Sequence, residues 1–259
     1  MKIRLHGNQP EGPFAHAQAL QSLVYGWIQA MDRTRAEELH DTNSSKPFSI
    51  SPLVPSGNSD CVFYVSCLDD SLTDIICKGA DSCDQNVYLK ASHKVLTFTL
   101  DPKIDFESET SWTKLERNSE AANAWKVYLL SPTVCRIKEQ LFPLPDPVNY
   151  FASWYYRWQG FGQPHPPQAP EIIEFVRDRV VVTAFSGETV DVPINARQST
   201  FPGFVGFVDL AVHKPKNSEK DILKRLDMLT SLAEYSGTGA QTMRGLGQTR
   251  VERLNISAT

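Results

Sequence analysis

The sequence predicts an α+β protein made of two tandem ferredoxin-like domains. The order strand, helix, strand, strand, helix, strand occurs twice along the chain, and a polar segment at residues 116–122 separates the two occurrences. At 259 residues, the chain is long enough to build two domains of modest size. We therefore predict one domain over residues 1–119 and a second over residues 120–259.

The first domain is predicted to begin with a strand at residues 1–7 and a helix at residues 16–31. Apolar residues recur in this helix at three- and four-residue steps, which is typical of one buried helix face. Tyr25 follows Val24 of that apolar stripe and therefore lies beside it. The remaining elements are predicted in this order: a short helix at 33–40, strands at 46–54 and 61–68, a helix at 69–80 ending at Gly79, and a strand at 92–102.

The second domain repeats this order. Prolines favour the start of its first helix, and Ser218 with Asp221 forms a capping box at the start of its last helix. The predicted elements are a strand at 124–132, a helix at 145–161, a proline-rich linker at 162–170, strands at 177–193 and 201–212, a helix at 218–235 and a closing strand at 247–256.

The composition excludes several classes of protein. The formal net charge is −4, so binding of a polyanion requires a local basic patch or oriented backbone amides. The five cysteines are odd in number and include no C-x-x-C pair, which argues against a disulfide framework and a structural zinc site. The chain has no apolar run of about 18 residues and no secretory signal after its first residues, so we expect a cytoplasmic protein that does not span a membrane.

A glycine-rich segment, "YSGTGAQTMRGLG", follows the last predicted helix at residues 235–247. It is not a P-loop, because no Gly-Lys-Ser/Thr follows the glycines, and it lacks the strand-to-helix context of a dinucleotide fingerprint. Glycine N–H groups and Arg244 could bind a phosphate backbone, but a helix cap followed by a bulged strand would also use glycines. These residues alone leave both interpretations open. The four glycines are Gly237, Gly239, Gly245 and Gly247.

Several segments in order resemble the CRISPR-associated repeat-processing endoribonucleases, and the resemblance covers nearly the whole chain. The segments are "LQSLVYGWI", "ELHDTNSSKPFSISPL", "LLSPTVCR", "FPLPDPVNYFASWYYRWQ", "FPGFVGFVDLAV" and "SLAEYSGTGAQTMRGLG". The resemblance implies two RNA-recognition-motif-like domains, a metal-independent cut in CRISPR repeat RNA at or beside a hairpin, and no cofactor. It also implies that the glycine-rich segment holds RNA.

The resemblance assigns the catalytic roles to Tyr25, His40 and Lys46. His40 is expected to act as general base, with general acid as the alternative, because histidine readily changes charge near neutral pH. Lys46 would stabilise charge on the phosphate, and Tyr25 would position or protonate the leaving group. The predicted RNA-binding residues are Gly237, Gly239, Arg244, Gly245, Gly247, Lys214 and Arg250, the last two taken from basic runs near the loop.

Several alternatives stay open in the sequence. Other histidines compete with His40, and His213 is the best of them because it ends a strand beside a basic run. The protein could be a non-catalytic RNA-binding subunit of a CRISPR effector complex, or a nucleotide-binding enzyme. The sequence also leaves open whether the protein joins other effector subunits or forms a homodimer. The other competing histidines are His6, His16, His93 and His165.

Overall fold

The structure is a computed structural model that describes residues 1–6, 16–41, 45–56, 60–83, 86–89, 94–100, 110–162, 169–193 and 200–254. The chain divides into two compact units. The first comprises Met1–Glu109, Val192–Thr200 and Thr242–Gly245, and the second comprises Thr110–Asp191, Phe201–Gln241 and Leu246–Thr259. The domain boundary between residues 119 and 120 stays a prediction. The histidines at 93 and 165 and the linker at 163–168 lie outside the described residues.

In its described residues, the first unit contains one antiparallel sheet and three α-helices. Its elements are β1 (Lys2–His6), α1 (Ala17–Met31), α2 (Arg33–Asp41), β2 (Phe48–Ile50), β3 (Val54–Ser56), β4 (Asp60–Cys67), α3 (Asp70–Ser82), β5 (Asn86–Leu89) and β6 (Lys94–Leu100). The strands follow the order β2-β4-β1-β6-β5, and β3 also pairs with β4. The central strand β1 is antiparallel to both β4 and β6, as a ferredoxin-like sheet requires.

Helices α1 and α3 pack closely at one glycine. A Cβ added to Gly79 would overlap the backbone of Trp27, so only glycine permits this approach of the two helices. The helix predicted at residues 69–80 was expected to end at Gly79. This prediction is wrong, because α3 continues to Ser82. The apolar residues that line this part of the core include Leu20, Val24, Ile28, Leu72 and Ile76.

The strand predicted at residues 46–54 is two short strands, β2 and β3. Pro52 lies between them, and proline cannot donate a ladder hydrogen bond. The hydroxyl of Ser51 accepts a hydrogen bond of 2.9 Å from the N–H of Tyr64. This side-chain contact takes the place of a ladder bond where the strand is interrupted.

The second unit contains a four-stranded sheet of order β10-β11-β7-β12 and a separate β8-β9 hairpin. Its elements are α4 (Trp112–Asn118), β7 (Ala124–Thr133), β8 (Cys135–Ile137), β9 (Gln140–Phe142), α5 (Pro147–Phe161), α6 (Ala169–Arg179), β10 (Val180–Pro193), β11 (Thr200–Val212), α7 (Lys220–Ser236) and β12 (Thr249–Arg253). Strand β7 is antiparallel to both β11 and β12. The predicted α+β class with two ferredoxin-like domains is confirmed.

Helix α6 was not predicted, because its sequence was assigned to a linker and to the start of a strand. Its apolar residues Ile172 and Val176 are four positions apart and both are buried. This spacing is typical of a short amphipathic helix and could have predicted α6 from the sequence. The elements β5, β8, β9 and α4 were also missed. No helix in the described part of the chain combines the length and apolar character needed to cross a membrane.

Candidate active site

Helix α1 presents Gln21 and Tyr25 on the same side, because residues four apart are neighbours on a helix surface. Both side chains are half-buried. The Tyr25 ring packs edge-on against two rings: its centroid is 5.8 Å from that of Phe48 on β2 and 6.2 Å from that of His40 on α2. Tyr25 therefore lies where α1, α2 and β2 meet.

The hydroxyl of Tyr25 donates a 3.1 Å hydrogen bond to the backbone carbonyl of Leu39. It also lies 3.6 Å from the sulfur of Met243. Burial raises the pKa of Tyr25, and the positive charge of Arg244 acts in the opposite direction. The phenol is therefore protonated at neutral pH, and its proton is bonded to the residue that precedes His40.

His40 lies in the last turn of α2, and its side chain is exposed. Leu39, its neighbour, is buried and fixes this end of the helix to the core. An imidazole in this position is held in place by its backbone while remaining accessible to a large ligand. Carbonyl groups at a helix C-terminus also favour a positive charge nearby.

Lys46 lies in the segment that joins α2 to β2, and its side chain is half-buried. The following residue, Pro47, accepts a 2.7 Å hydrogen bond from the N–H of Leu68, which fixes the backbone next to Lys46. The structure therefore places Tyr25 and His40 side by side, and places Lys46 in the same unit at the start of β2.

All four glycines of the glycine-rich segment have positive φ: 69° at Gly237, 79° at Gly239, 76° at Gly245 and 69° at Gly247. A Cβ on Gly239 would overlap the carbonyl of Val134, and one on Gly247 would overlap the backbone of Thr238. At Gly239 and Gly247, the atoms that leave no room for a side chain are therefore backbone atoms of the protein itself. The structure gives each glycine a conformational reason, and a role in RNA binding stays a prediction.

Helix α5 anchors the first half of the glycine-rich segment. The Trp154 indole donates a 3.0 Å hydrogen bond to the Thr238 hydroxyl, and Arg157 donates a 2.8 Å bond to the Gly239 carbonyl. The N–H of Gly239 donates to the Ser153 hydroxyl at 3.2 Å. Burial lowers the pKa of Arg157 to about 10, so it still carries its charge at neutral pH. These α5 contacts were missed in the sequence, where the aromatic run predicted only an amphipathic helix.

Arg244 lies in a 3-10 turn, Thr242–Arg244, that belongs to the first unit. Its Nε donates a 2.9 Å hydrogen bond to Oε1 of Gln21. Within the described residues, no hydrogen bond or ion pair joins either terminal nitrogen of Arg244 to another group. Arg244 therefore adds a half-buried positive charge to the cluster of Tyr25 and His40.

The other two predicted RNA-binding cations belong to the second unit. Arg250 stacks over the Tyr128 ring at 4.4 Å and pairs with Glu252 at 3.4 Å. Lys214 is exposed and has a positive φ of 48°. His213, the rival of His40, is also exposed in this unit.

All five cysteines are free thiols, as expected. Burial raises the pKa of Cys61 and of Cys67 to about 11. Within the described ranges, no three or more His, Cys, Asp or Glu side chains come together in a way that could hold a metal ion.

The fold and the cluster define a class of protein: two ferredoxin-like domains with a glycine-rich loop and an exposed histidine beside a tyrosine and an arginine. Solved structures with this fold include Cas6 TTHB231 of Thermus thermophilus in a product complex, with a TM-score of 0.78 and 22% identity over 97% of this chain and 98% of that one. Cas6 TTHA0078 in a product complex has a TM-score of 0.76 and 22% identity over the same shares of the two chains.

Residues 127–249 match the model of the CRISPR-associated endoribonuclease Cas6 family. This match covers a little under half of the chain and, together with the shared fold, supports the resemblance predicted from the sequence. The predicted enzyme class, an endoribonuclease of CRISPR RNA processing, is confirmed with it. A comparison with curated protein sequences finds no match for the chain.

Proposed function

We propose that this protein cleaves precursor CRISPR RNA within each repeat by a metal-independent transesterification. The observation that carries the proposal is the hydrogen bond from Tyr25 to the carbonyl of Leu39, which fixes the end of α2 and so positions the exposed His40. Proton transfer to or from a bound substrate requires an acid–base group that is held in a defined position.

The reaction forms a bond between the ribose 2′-oxygen and the adjacent phosphorus and breaks the bond from phosphorus to the 5′-oxygen. His40 takes the proton of the 2′-hydroxyl, and the departing 5′-oxygen receives a proton from a donor or from water. The products are a 2′,3′-cyclic phosphate and a 5′-hydroxyl. In the alternative assignment, His40 is the acid that protonates the 5′-oxygen.

Because the nucleophile belongs to the substrate, the protein need not activate a water molecule, and no metal is required for that step. The additional negative charge on the phosphorane does require nearby positive charge. Arg244 and Lys46 are the cations of the first unit that we assign to this role. The hydroxyl of Tyr25 is assigned to positioning, because its proton is already bonded to the carbonyl of Leu39.

Named structural relatives support this proposal. Cas6 TTHA0078 is known in a product complex, in a substrate-mimic complex and as a mutant in which one histidine is replaced by alanine. We propose that the RNA of this protein is a repeat hairpin held by the glycine-rich loop, with Lys214 and Arg250 along its backbone. Association with other effector subunits and formation of a homodimer remain predictions.

The first test is cleavage of a repeat RNA from the same genome in excess EDTA. We expect one cut per repeat at a rate that EDTA does not change, with a 2′,3′-cyclic phosphate that acid treatment opens and a 5′-hydroxyl that polynucleotide kinase can label. Tight binding without cleavage would instead identify a non-catalytic RNA-binding subunit, and cleavage abolished by EDTA would contradict the metal-independent mechanism.

A Tyr25→Phe variant tests the positioning role of the tyrosine. Losing the hydrogen bond to Leu39 loosens the end of α2, so we expect the single-turnover cleavage rate to fall about tenfold, the scale of one hydrogen bond in an organised site. Tyr64→Phe, at an exposed tyrosine of the same unit, serves as the matched control. A fall of about a thousandfold would contradict positioning, because a general acid is worth about 10²–10⁴-fold.

A further inference from the structure

We propose that Gln21 is a positioning residue that fixes the guanidinium of Arg244 for the scissile phosphate. The inference rests on the proposed cleavage function and adds a residue that the sequence did not single out. Gln21 precedes Tyr25 by one helical turn, so the two side chains share one side of α1.

The contact is a tertiary one. Arg244 Nε and Gln21 Oε1 are 2.9 Å apart although the residues are separated by 223 positions in the chain. Both side chains are half-buried, so each has lost part of its hydration and rotamer freedom. An arginine on a glycine-rich loop is thereby tied to a regular helix.

The chemistry of the partner is informative. A glutamine oxygen accepts the Nε–H but carries no charge, so it orients the guanidinium without neutralising it. In the described part of the chain, Gln21 is the hydrogen-bond partner of Arg244, and no carboxylate pairs with it. With Nε bonded, the terminal nitrogens of the planar guanidinium remain as donors for an anion. Arginine binds phosphate oxygens through such paired N–H groups.

The positive charge of Arg244 lies close to the residues that we assign to the reaction. Arg244 is close enough to Tyr25 to act on the pKa of its phenol. Met243, the residue before Arg244, is contacted by the same Tyr25 hydroxyl that donates to Leu39. A phosphate bound to Arg244 would therefore lie near the end of α2 that carries His40. A charge held in advance stabilises a phosphorane without the cost of reorientation during the reaction.

The test compares Gln21→Met, which keeps the side-chain length but removes the oxygen, with Gln29→Met at an exposed glutamine of the same helix. Single-turnover cleavage at saturating repeat RNA and the Kd for that RNA are measured with each. We expect Gln21→Met to lower the cleavage rate about tenfold and to change Kd less than about twofold. Gln29→Met should behave as the wild type does, and the thermal unfolding midpoints of all variants should agree.

A double-mutant cycle makes the test specific. If Gln21 acts through Arg244, adding Gln21→Met to Arg244→Ala should lower the cleavage rate no further than Arg244→Ala alone. Rate losses that multiply, or a Gln21→Met variant that cleaves as fast as the wild type, would overturn the inference. If the wild type binds repeat RNA without cleaving it, the proposed function fails, and the positioning role fails with it. If the wild type cleaves repeat RNA and Gln21→Met cleaves it equally fast, the proposed function stands and only the inference about Gln21 fails.

A Gln21→Glu variant tests the argument about charge. The carboxylate would keep the acceptor for Nε but would neutralise Arg244 and repel phosphate. We expect the Kd for repeat RNA to rise about tenfold, with a weaker dependence of Kd on salt than in the wild type. If this variant has the Kd and the cleavage rate of the wild type, the lack of charge on residue 21 does not matter, and this part of the inference is overturned.

Discussion

Replacing His40 with alanine is expected to lower the single-turnover cleavage rate of repeat RNA by about 10²–10⁴-fold, the usual loss when a positioned acid–base group is removed. Binding should be nearly unchanged, because the exposed imidazole contributes one contact to an interface dominated by phosphate interactions. The rate is measured at saturating RNA with EDTA present, and Kd is measured separately by filter binding. The exposed position of His40 also means that the variant should fold normally.

His213→Ala is the matched control, because His213 is also exposed and was the strongest rival in the sequence. His40 belongs to the first unit, as Tyr25 does, and His213 belongs to the second unit. A His40→Ala variant that cleaves within about threefold of the wild type would contradict the assignment, and a large loss in His213→Ala would transfer the catalytic role to that residue.

The sequence predicted the parts of the fold that repeat a local pattern. The apolar stripes of α1 and α7 lead directly to helices, because three- and four-residue steps depend only on neighbours along the chain. The capping box predicted at Ser218 and Asp221 is wrong: α7 begins at Lys220, its N-cap residue Glu219 makes no side-chain cap hydrogen bond, and the Glu219 carboxylate accepts a hydrogen bond from the N–H of Lys216 instead. The end of α3 was misplaced because glycine is a common helix terminator, whereas Gly79 is required by the close approach of Trp27 from another helix. That approach is a tertiary contact between two helices, so no pattern of neighbouring residues in the sequence indicates it.

The candidate site divides in the same way. Tyr25 and His40 were identified through a family resemblance, and the structure adds the link between them through the carbonyl of Leu39. Gln21 had a usable signal, its four-residue spacing from Tyr25, but nothing in the sequence indicated that Arg244 would reach it. The glycines of the loop suggested a ligand equally well as a turn, because both need backbone without a Cβ.

The second large effect concerns the stability of the second unit. Asp227 on α7 is fully buried and accepts hydrogen bonds from the N–H of Glu120 at 2.8 Å, the indole of Trp125 at 2.9 Å, and Arg253 at 2.7–3.1 Å. Its hydrogen bond to Arg253 is also the main reason that the pKa of Arg253 is raised. Arg253 donates a further 2.8 Å bond to the carbonyl of Asn118 at the end of α4. One carboxylate thus joins α7, β7, β12 and the end of α4.

An Asp227→Asn variant keeps the shape of the side chain but replaces one acceptor oxygen with an NH₂ group that faces donors. We expect the free energy of unfolding to fall by about 3 kcal/mol, because buried donors lose their acceptor and Arg253 loses its counter-charge. For a unit of this size, the loss corresponds to a thermal midpoint lower by roughly 6–12 °C. The fluorescence of Trp125, which lies in the network, is one of the signals that follow the transition.

Asp221→Asn on the same helix is the matched control. Asp221 is exposed in the first turn of α7, where a carboxylate contributes only its interaction with the helix dipole, about 0.3–1 kcal/mol. The comparison therefore separates loss of a negative charge from loss of a buried acceptor. If both variants unfold within about 1 kcal/mol of the wild type, the Asp227 network does not stabilise the unit, and the close packing of α7 on β7 and β12 must rest on its apolar residues alone.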